Sequence, residues 1–303
     1  MSGVLSSLRY LLSDFIGEGE GTPPFLPDGL PDSAASMVSE GIHLLMEYQG
    51  ASYAQLYVNR LRRFIGRPDV DDAMFGEIAR LMAMRMSYED PIRIAQLKLA
   101  EYEMNAGDPR APFADDIRKF RLDELIGALP AAVAEPLLDV LEWMGWTHKR
   151  VSIRFSTRSR WGIRRLKIEA GLRRWRRFSV RYTKERAWVE RWLHMISRSL
   201  AKQPKAAPAI VQTATMVQGY GDVYRQGLAD WHAIIDGLAK PTFDGVLPLS
   251  DVAGAIAEAR AAAVPDPRQA ALKRTIAEIR ARALMEAQKL VVPANAASII
   301  RND

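Results

Sequence analysis

Through most of its 303 residues this chain places apolar side chains three and four positions apart, the period that gathers them on one face of an α-helix. Between Ala35 and Ile65 the positions Ile42, Leu45, Met46, Tyr53, Leu56, Tyr57 and Phe64 follow it, and Gly-Arg-Pro-Asp at 66–69 ends the run. A second stripe, Met74, Ile78, Leu81 and Met82, stands behind Asp71 or Asp72 as a cap. A third opens at Asp90-Pro91, a favoured cap followed by a residue that tolerates the first helical position, and carries Ile92, Ala95, Leu99 and Tyr102.

Asn-Ala-Gly-Asp-Pro-Arg-Ala-Pro at 105–112 reads as a loop, and shorter helices are expected at 121–128 and 134–144. Helical spacing resumes from Trp161 to Leu200, where Trp188, Trp192, Met195 and Ser199 share a face, and Pro-Lys-Ala-Ala-Pro at 204–208 breaks it. Tyr224, Leu228, Trp231, Ile235 and Leu238 mark a helical region at 209–238. Two Ala-rich helices at 250–263 and 267–290 flank Val-Pro-Asp-Pro.

One stretch departs from this period. Residues 149–160 alternate polar and apolar positions around Val151, Ile153 and Phe155, the pattern of a short strand. With no repeat and no alternation of strands with helices, the expected fold is all-α or nearly all-α, a multi-helix, bundle-like architecture with at most a short β element near 149–160. Four segments follow: a Pro/Gly-rich arm at 1–35, a helical subdomain at 36–146, a basic, Trp-rich helical subdomain at 147–245, and C-terminal Ala-rich helices at 246–303.

The composition, 48% hydrophobic and 26% charged, suits a packed core. The absence of cysteine removes iron–sulfur clusters, thiolate zinc sites, disulfides and cysteine nucleophiles. Near the N-terminus an arginine interrupts the apolar stretch and no small-residue cleavage site follows, so a cytoplasmic location is expected. No apolar run reaches the roughly 20 residues that span a bilayer.

Glu40 and His43 have the Glu-x-x-His spacing of carboxylate-bridged metal bundles, but His148, His194 and His232 supply no second copy, so an ordinary helix-surface pair is the better reading. No serine sits in a Gly-x-Ser-x-Gly elbow. Gly219-Tyr-Gly221 lacks the third glycine and the preceding strand of a dinucleotide site, and reads as a close helix approach or a kink. No catalytic, cofactor-binding or metal-binding residue is assigned.

Charge is distributed unevenly. Lys149 to Arg191 holds 16 Lys/Arg against Glu169, Glu185 and Glu190, a local excess of 13, so the remaining residues carry a net −7 within the overall +6. Such a stretch is expected to face something anionic. Arg164, Arg165, Arg173, Arg174, Arg176, Arg177 and Arg181, interleaved with Trp161, Trp175, Phe178 and Tyr182, are the candidate docking residues. An acidic protein partner ranks above nucleic acid, because no nucleic-acid module is evident.

Three segments together resemble one family. Glu47-Tyr-Gln-Gly-Ala-Ser-Tyr-Ala-Gln-Leu-Tyr57, then Leu81-Met-Ala with Met86-Ser-Tyr-Glu-Asp-Pro-Ile-Arg-Ile-Ala-Gln-Leu-Lys98, then Gln218–Asp222 leading to Tyr224 and Trp231, are similar in order and spacing to the helical C-terminal region of indolepyruvate ferredoxin oxidoreductases. The resemblance covers roughly 36–240, with Asp222 standing where the fused enzymes are expected to carry histidine. It implies a setting in which arylpyruvates are oxidatively decarboxylated to acyl-coenzyme A, with thiamine diphosphate and iron–sulfur clusters on other chains. It also implies thiamine-dependent and gamma-type subunits as partners, and an acidic electron carrier. The implied role is a non-catalytic subunit or detached accessory domain acting in assembly or docking. An independent binder of nucleic acid or an anionic surface is the alternative.

Overall fold

The computed structural model describes residues 22–105 and 115–299, with side chains as far as 289. Among them the chain is helical apart from one two-stranded sheet, as the spacing of its apolar residues anticipates. It divides into two compact units. The first holds the described residues up to Val189 with Gly219–Gly221, and the second holds Glu190–Gln218 and the described residues from Asp222 onward. The beginning of the Pro/Gly-rich arm, the apolar N-terminal stretch and most of the 105–112 loop lie outside the described residues.

In the first unit, the run expected from Ala35 to Ile65 is two helices, α1 (Asp32–Tyr48) and α2 (Ala51–Leu61). Gly50 separates them at φ +117° and ψ −178°, a conformation essentially reserved for glycine. α1 packs on α3 (Asp72–Met86), and the buried Val38, Ile42 and Leu45 share a core with Phe75, Ile78 and Met82. Gly41 lets the Tyr57 hydroxyl approach so closely that a Cβ there would lie 2.6 Å from it. Asp71 caps α3 by accepting from the Met74 N–H at 2.7 Å. Asp90 caps α4 (Pro91–Met104) by accepting from the Arg93 N–H at 2.6 Å.

The strand expected at 149–160 is β2 (Arg150–Ser156), and it pairs antiparallel with β1 (Asp115–Arg121), a stretch whose alternation is mostly of charged residues. Phe120 and Phe155 face inward with rings 6.3 Å apart, and Ile94, Ala95 and Leu166 close a small core around them. Between the strands run α5 (Leu122–Gly127) and α6 (Ala131–Trp143).

The single helical run expected from Trp161 to Leu200 is interrupted. α7 (Arg160–Gly171) passes into a 3₁₀ segment, Leu172–Phe178, before α8 (Val180–Lys202). Ser179 makes the junction, accepting from the Tyr182 N–H while donating to the Arg176 carbonyl, so it caps the new helix.

In the second unit α8 continues, and Gln203, at φ −145°, ends it. The Pro-Lys-Ala-Ala-Pro stretch breaks the helix as expected, and it also starts α9 (Ala207–Gln212) through a 3₁₀ turn, because proline is tolerated in a first turn. α10 (Gly221–Ile234), a π turn at Ile235–Ala239, α11 (Lys240–Phe243), α12 (Val252–Ala261) and α13 (Ala270–Ile299) complete it. Trp231 donates to the Thr213 hydroxyl at 3.0 Å, which donates to the Ile210 carbonyl at 2.6 Å. Trp192 donates to the same carbonyl at 3.2 Å, so both buried indole N–H groups are satisfied. No described helix is long and apolar enough to cross a membrane.

Candidate functional site

The turn at Gly50 exposes the last carbonyls of α1, the negative end of that helix. Cationic and amide donors converge on it. Arg176 Nη1 donates to the Tyr48 carbonyl at 2.9 Å, Arg173 to the Glu47 carbonyl at 3.3 Å, and Gln96 Nε2 to both carbonyls at 3.1 and 3.3 Å. Arg93 holds the Glu47 carboxylate at 2.7 Å.

Arg176 is the centre of the arrangement. It is 1% exposed, grips the buried Asp90 through Nε at 2.7 Å and Nη2 at 2.9 Å, and lies 3.9 Å from the Tyr48 ring centroid. Burial opposes its charge, and Tyr48 and Asp90 outweigh that, holding its pKa above the ordinary guanidinium value. Asp90 thus serves twice, capping α4 and anchoring a residue 86 positions away.

Around this pair stands a tyrosine cluster. The Tyr48 ring lies 5.7 Å from Tyr88 and 6.0 Å from Tyr53, and Tyr53 lies 5.9 Å from Tyr182. Tyr48 donates to the Tyr88 carbonyl, Tyr53 to the Met86 carbonyl and Tyr57 to the Ala79 carbonyl. Burial pushes the phenols of Tyr48, Tyr53, Tyr57 and Tyr88 above their usual value, so none offers a base at neutral pH. Beside them Arg85 pairs with Glu185 at 2.9 Å and stacks on Trp188 at 4.9 Å, while Arg181 lies 3.4 Å from the same carboxylate and 5.4 Å from the Tyr88 ring. These groups position helices.

The seven arginines expected to dock a partner therefore divide. Arg164 and Arg174 are exposed. Arg165 pairs with Glu169 at 2.7 Å, Arg173 bonds the α1 terminus, and Arg177 donates to the Ser52 hydroxyl at 2.7 Å. Arg176 is buried and Arg181 nearly so, which takes both off any docking surface. Sequence reading missed the partners Asp90, Glu185 and Arg85, whose signal was slight: Asp90 showed only as a helix cap.

The Gly219-Tyr-Gly221 expectation also changes. A Cβ at either glycine would meet nothing within 4 Å, so neither serves close helix approach; their φ values of +70° and +67° shape a turn. That turn sets Tyr220 against Phe120 at 5.1 Å, where its hydroxyl accepts from Arg118 at 3.2 Å. Glu40 and His43 are both exposed on α1, and no group of three metal-capable side chains occurs among the described residues.

Residues 34–237 match the model of a family described as a family of unknown function, DUF6537. The chain belongs to DUF6537. Searches of curated proteins and of solved structures return no match. The DUF6537 region contains the whole Tyr48–Asp90–Arg176 network and stops in the π turn, leaving α11, α12 and α13 beyond it.

Proposed function

We propose that this DUF6537 chain is a non-catalytic helical subunit or accessory domain of an indolepyruvate ferredoxin oxidoreductase-like assembly, acting in subunit assembly or docking. On this reading thiamine diphosphate and iron–sulfur clusters sit on other chains, among them thiamine-dependent and gamma-type subunits, and an acidic electron carrier joins them in the cytoplasm. One observation carries it. Two of the three segments behind the resemblance, Glu47–Tyr57 and Met86–Lys98, meet at one place, through Tyr48 on Tyr88, Tyr53 on Met86, and Arg93 and Gln96 on the α1 terminus. Segments that meet in space are what motifs belonging to one fold would do, and this supports the resemblance.

The chemistry of the network supports an accessory role. Its phenols donate to backbone carbonyls and its arginines hold carboxylates, so it braces helices rather than moving protons. Arg176 and Arg181 are buried or nearly so and Arg177 is held by Ser52, so these three are spent on the fold, while Arg164 and Arg174 stay exposed and available to an anionic partner. Purification from the native host at moderate salt tests the reading. Stoichiometric recovery of a thiamine-dependent subunit is expected, and recovery with no such subunit counts against it.

A further inference from the structure

The tryptophans of the chain are sorted by place. Trp188, Trp192 and Trp231 are buried, whereas Trp143, Trp146, Trp161 and Trp175 are exposed. Trp161 and Trp175 belong to one outer face of α7 and the 3₁₀ segment, and helix geometry fixes which residues share it.

Along α7, Trp161 and Ile168 stand at i and i+7 and so point the same way, at 72% and 63% exposure. Arg164 lies at i+3 from Trp161 and i−4 from Ile168, beside both, and Arg160 and Lys167 neighbour it at i−4 and i+3. All three cations are exposed. The opposite side holds Leu166, against the Phe120–Phe155 core, with the partly buried Ala170. In the 3₁₀ segment the period is three, so Leu172, Trp175 and Phe178 form one exposed row. Arg173 and Arg176 form the row that turns inward, to the end of α1 and to Asp90. Arg174, exposed, stands in the third row with Arg177. Leu172 follows Ile168 at i+4, so the apolar ridge passes from α7 into the 3₁₀ segment without a break.

The ridge carries no acid. Glu169 is the sole carboxylate from Arg160 to Phe178, and Arg165 holds it at 2.7 Å. Arg160, Arg164, Lys167 and Arg174 are the exposed cations that flank the apolar residues.

We infer that this face lies on an anionic membrane surface, with the ridge in the headgroup layer and the cations at the lipid phosphates. An apolar ridge flanked by cations is the arrangement of an interfacial helix. Its apolar side chains enter the boundary between headgroups and acyl chains, and the stems of Lys and Arg let their charged heads reach the phosphates. Indole favours that layer, because its ring is apolar and its N–H finds acceptors there. An acidic protein would match the cations as well, but an interface hot spot gathers its aromatics in a compact centre ringed by weaker contacts. Here they stand in single file with cations alongside, which suits a yielding surface that is anionic throughout. The inference goes beyond the assembly role and is independent of it: recovery of a thiamine-dependent subunit tests that role, and vesicle binding tests this one.

Co-sedimentation of the full chain with vesicles is the experiment, using phosphatidylcholine alone and an equal mixture of phosphatidylcholine with phosphatidylglycerol. Binding to the mixed vesicles is expected, weakening as salt rises, with little binding to phosphatidylcholine alone. Arg164→Glu with Lys167→Glu should weaken it at least about tenfold. Trp161→Ala with Ile168→Ala should also weaken it, through the apolar ridge. All four positions are exposed, so thermal unfolding of both variants should stay near that of the parent. Lipids brominated on the acyl chains should quench tryptophan emission, and Trp161→Phe with Trp175→Phe should remove most of that quenching while binding persists.

No binding to the mixed vesicles at low salt overturns the inference, as does binding that neither weakening variant reduces, or quenching that survives loss of both indoles. Equal binding to single-stranded RNA or to polyglutamate, reduced by the charge reversal but not by the apolar variant, would reveal a general polyanion or acidic-protein site and overturn it too. Should a variant not fold, the parent decides alone: quenching by brominated lipid that requires phosphatidylglycerol supports the inference, and its absence overturns it.

Discussion

Arg176 reaches back 86 residues to hold Asp90 with two hydrogen bonds, and its remaining amine closes the C-terminus of α1 through the Tyr48 carbonyl. One buried guanidinium thus ties the 3₁₀ segment after α7 to the start of α4 and the end of α1. A buried charge is tolerated only where its partners replace the lost hydration, and here a carboxylate, a carbonyl and an aromatic face do so.

Substitutions within the basic stretch should separate sharply by burial. Arg176→Met, which leaves Asp90 buried with its charge uncompensated, is expected to cost about 3–5 kcal/mol. Arg164→Gln or Arg174→Gln, on the surface, should stay within about 0.5 kcal/mol of the parent. Urea unfolding of the three variants measures the contrast.

Gly50→Ala should destabilise the chain by about 1–3 kcal/mol, since φ +117° with ψ −178° has no comfortable counterpart for an L side chain. Gly219, at φ +70° with open space around its Cβ direction, should accept asparagine at a much smaller cost. A lower melting temperature for the first variant and a near-parental one for the second is the expected pair of results.

The buried phenols imply a defined response to alkali. Tyr48, Tyr53, Tyr57 and Tyr88 have native pKa values raised above 10.0 by burial, so above that pH the unfolded chain releases protons that the native chain retains. Their contribution is complete below pH 10.0 and is lost as pH climbs above it, so stability should fall there. Phenolate absorbance should show these four rings ionising together with the loss of helical signal. Ionisation near 10.0 in a still-helical protein would contradict their burial.

Tyr53→Phe removes the donor to the Met86 carbonyl and should cost about 1–3 kcal/mol if that carbonyl is left without a replacement. The same change at the surface-accessible Tyr102, which is 37% exposed, should be nearly neutral. Thermal unfolding of both variants compares them directly.

Much of the fold was legible because a period of 3.6 survives in any amphipathic helix, and the caps at Asp71 and Asp90 announced two helix starts. β1 was not legible: Asp-Asp-Ile-Arg-Lys-Phe-Arg carries one deeply buried side chain, Phe120, and its strand conformation comes from pairing with β2. The break at Leu172–Phe178 is hidden because arginine and tryptophan keep helical spacing there, and Ser179 becomes a cap only through its bonds to Arg176 and Tyr182. The limit of the first unit at Val189 lies inside α8, where no change of composition marks it.

The site was half legible. Tyrosines and arginines stood out as residue types, but which arginines turn inward depends on carboxylates far away in sequence, Asp90 for Arg176 and Glu185 for Arg85. A local charge count sees an excess of 13 and cannot see those partners.

The most direct measurement is a double-mutant cycle between Asp90 and Arg176, using Asp90→Asn, which keeps a cap for α4, and Arg176→Met. If the pair is the bracket that joins these segments, the two single losses should exceed the double loss, with a coupling near the upper end of the roughly 0.5–3 kcal/mol seen for residues in contact. Losses that simply add, within about 0.5 kcal/mol, would show that Asp90 and Arg176 act independently and that the network is not what holds this region together.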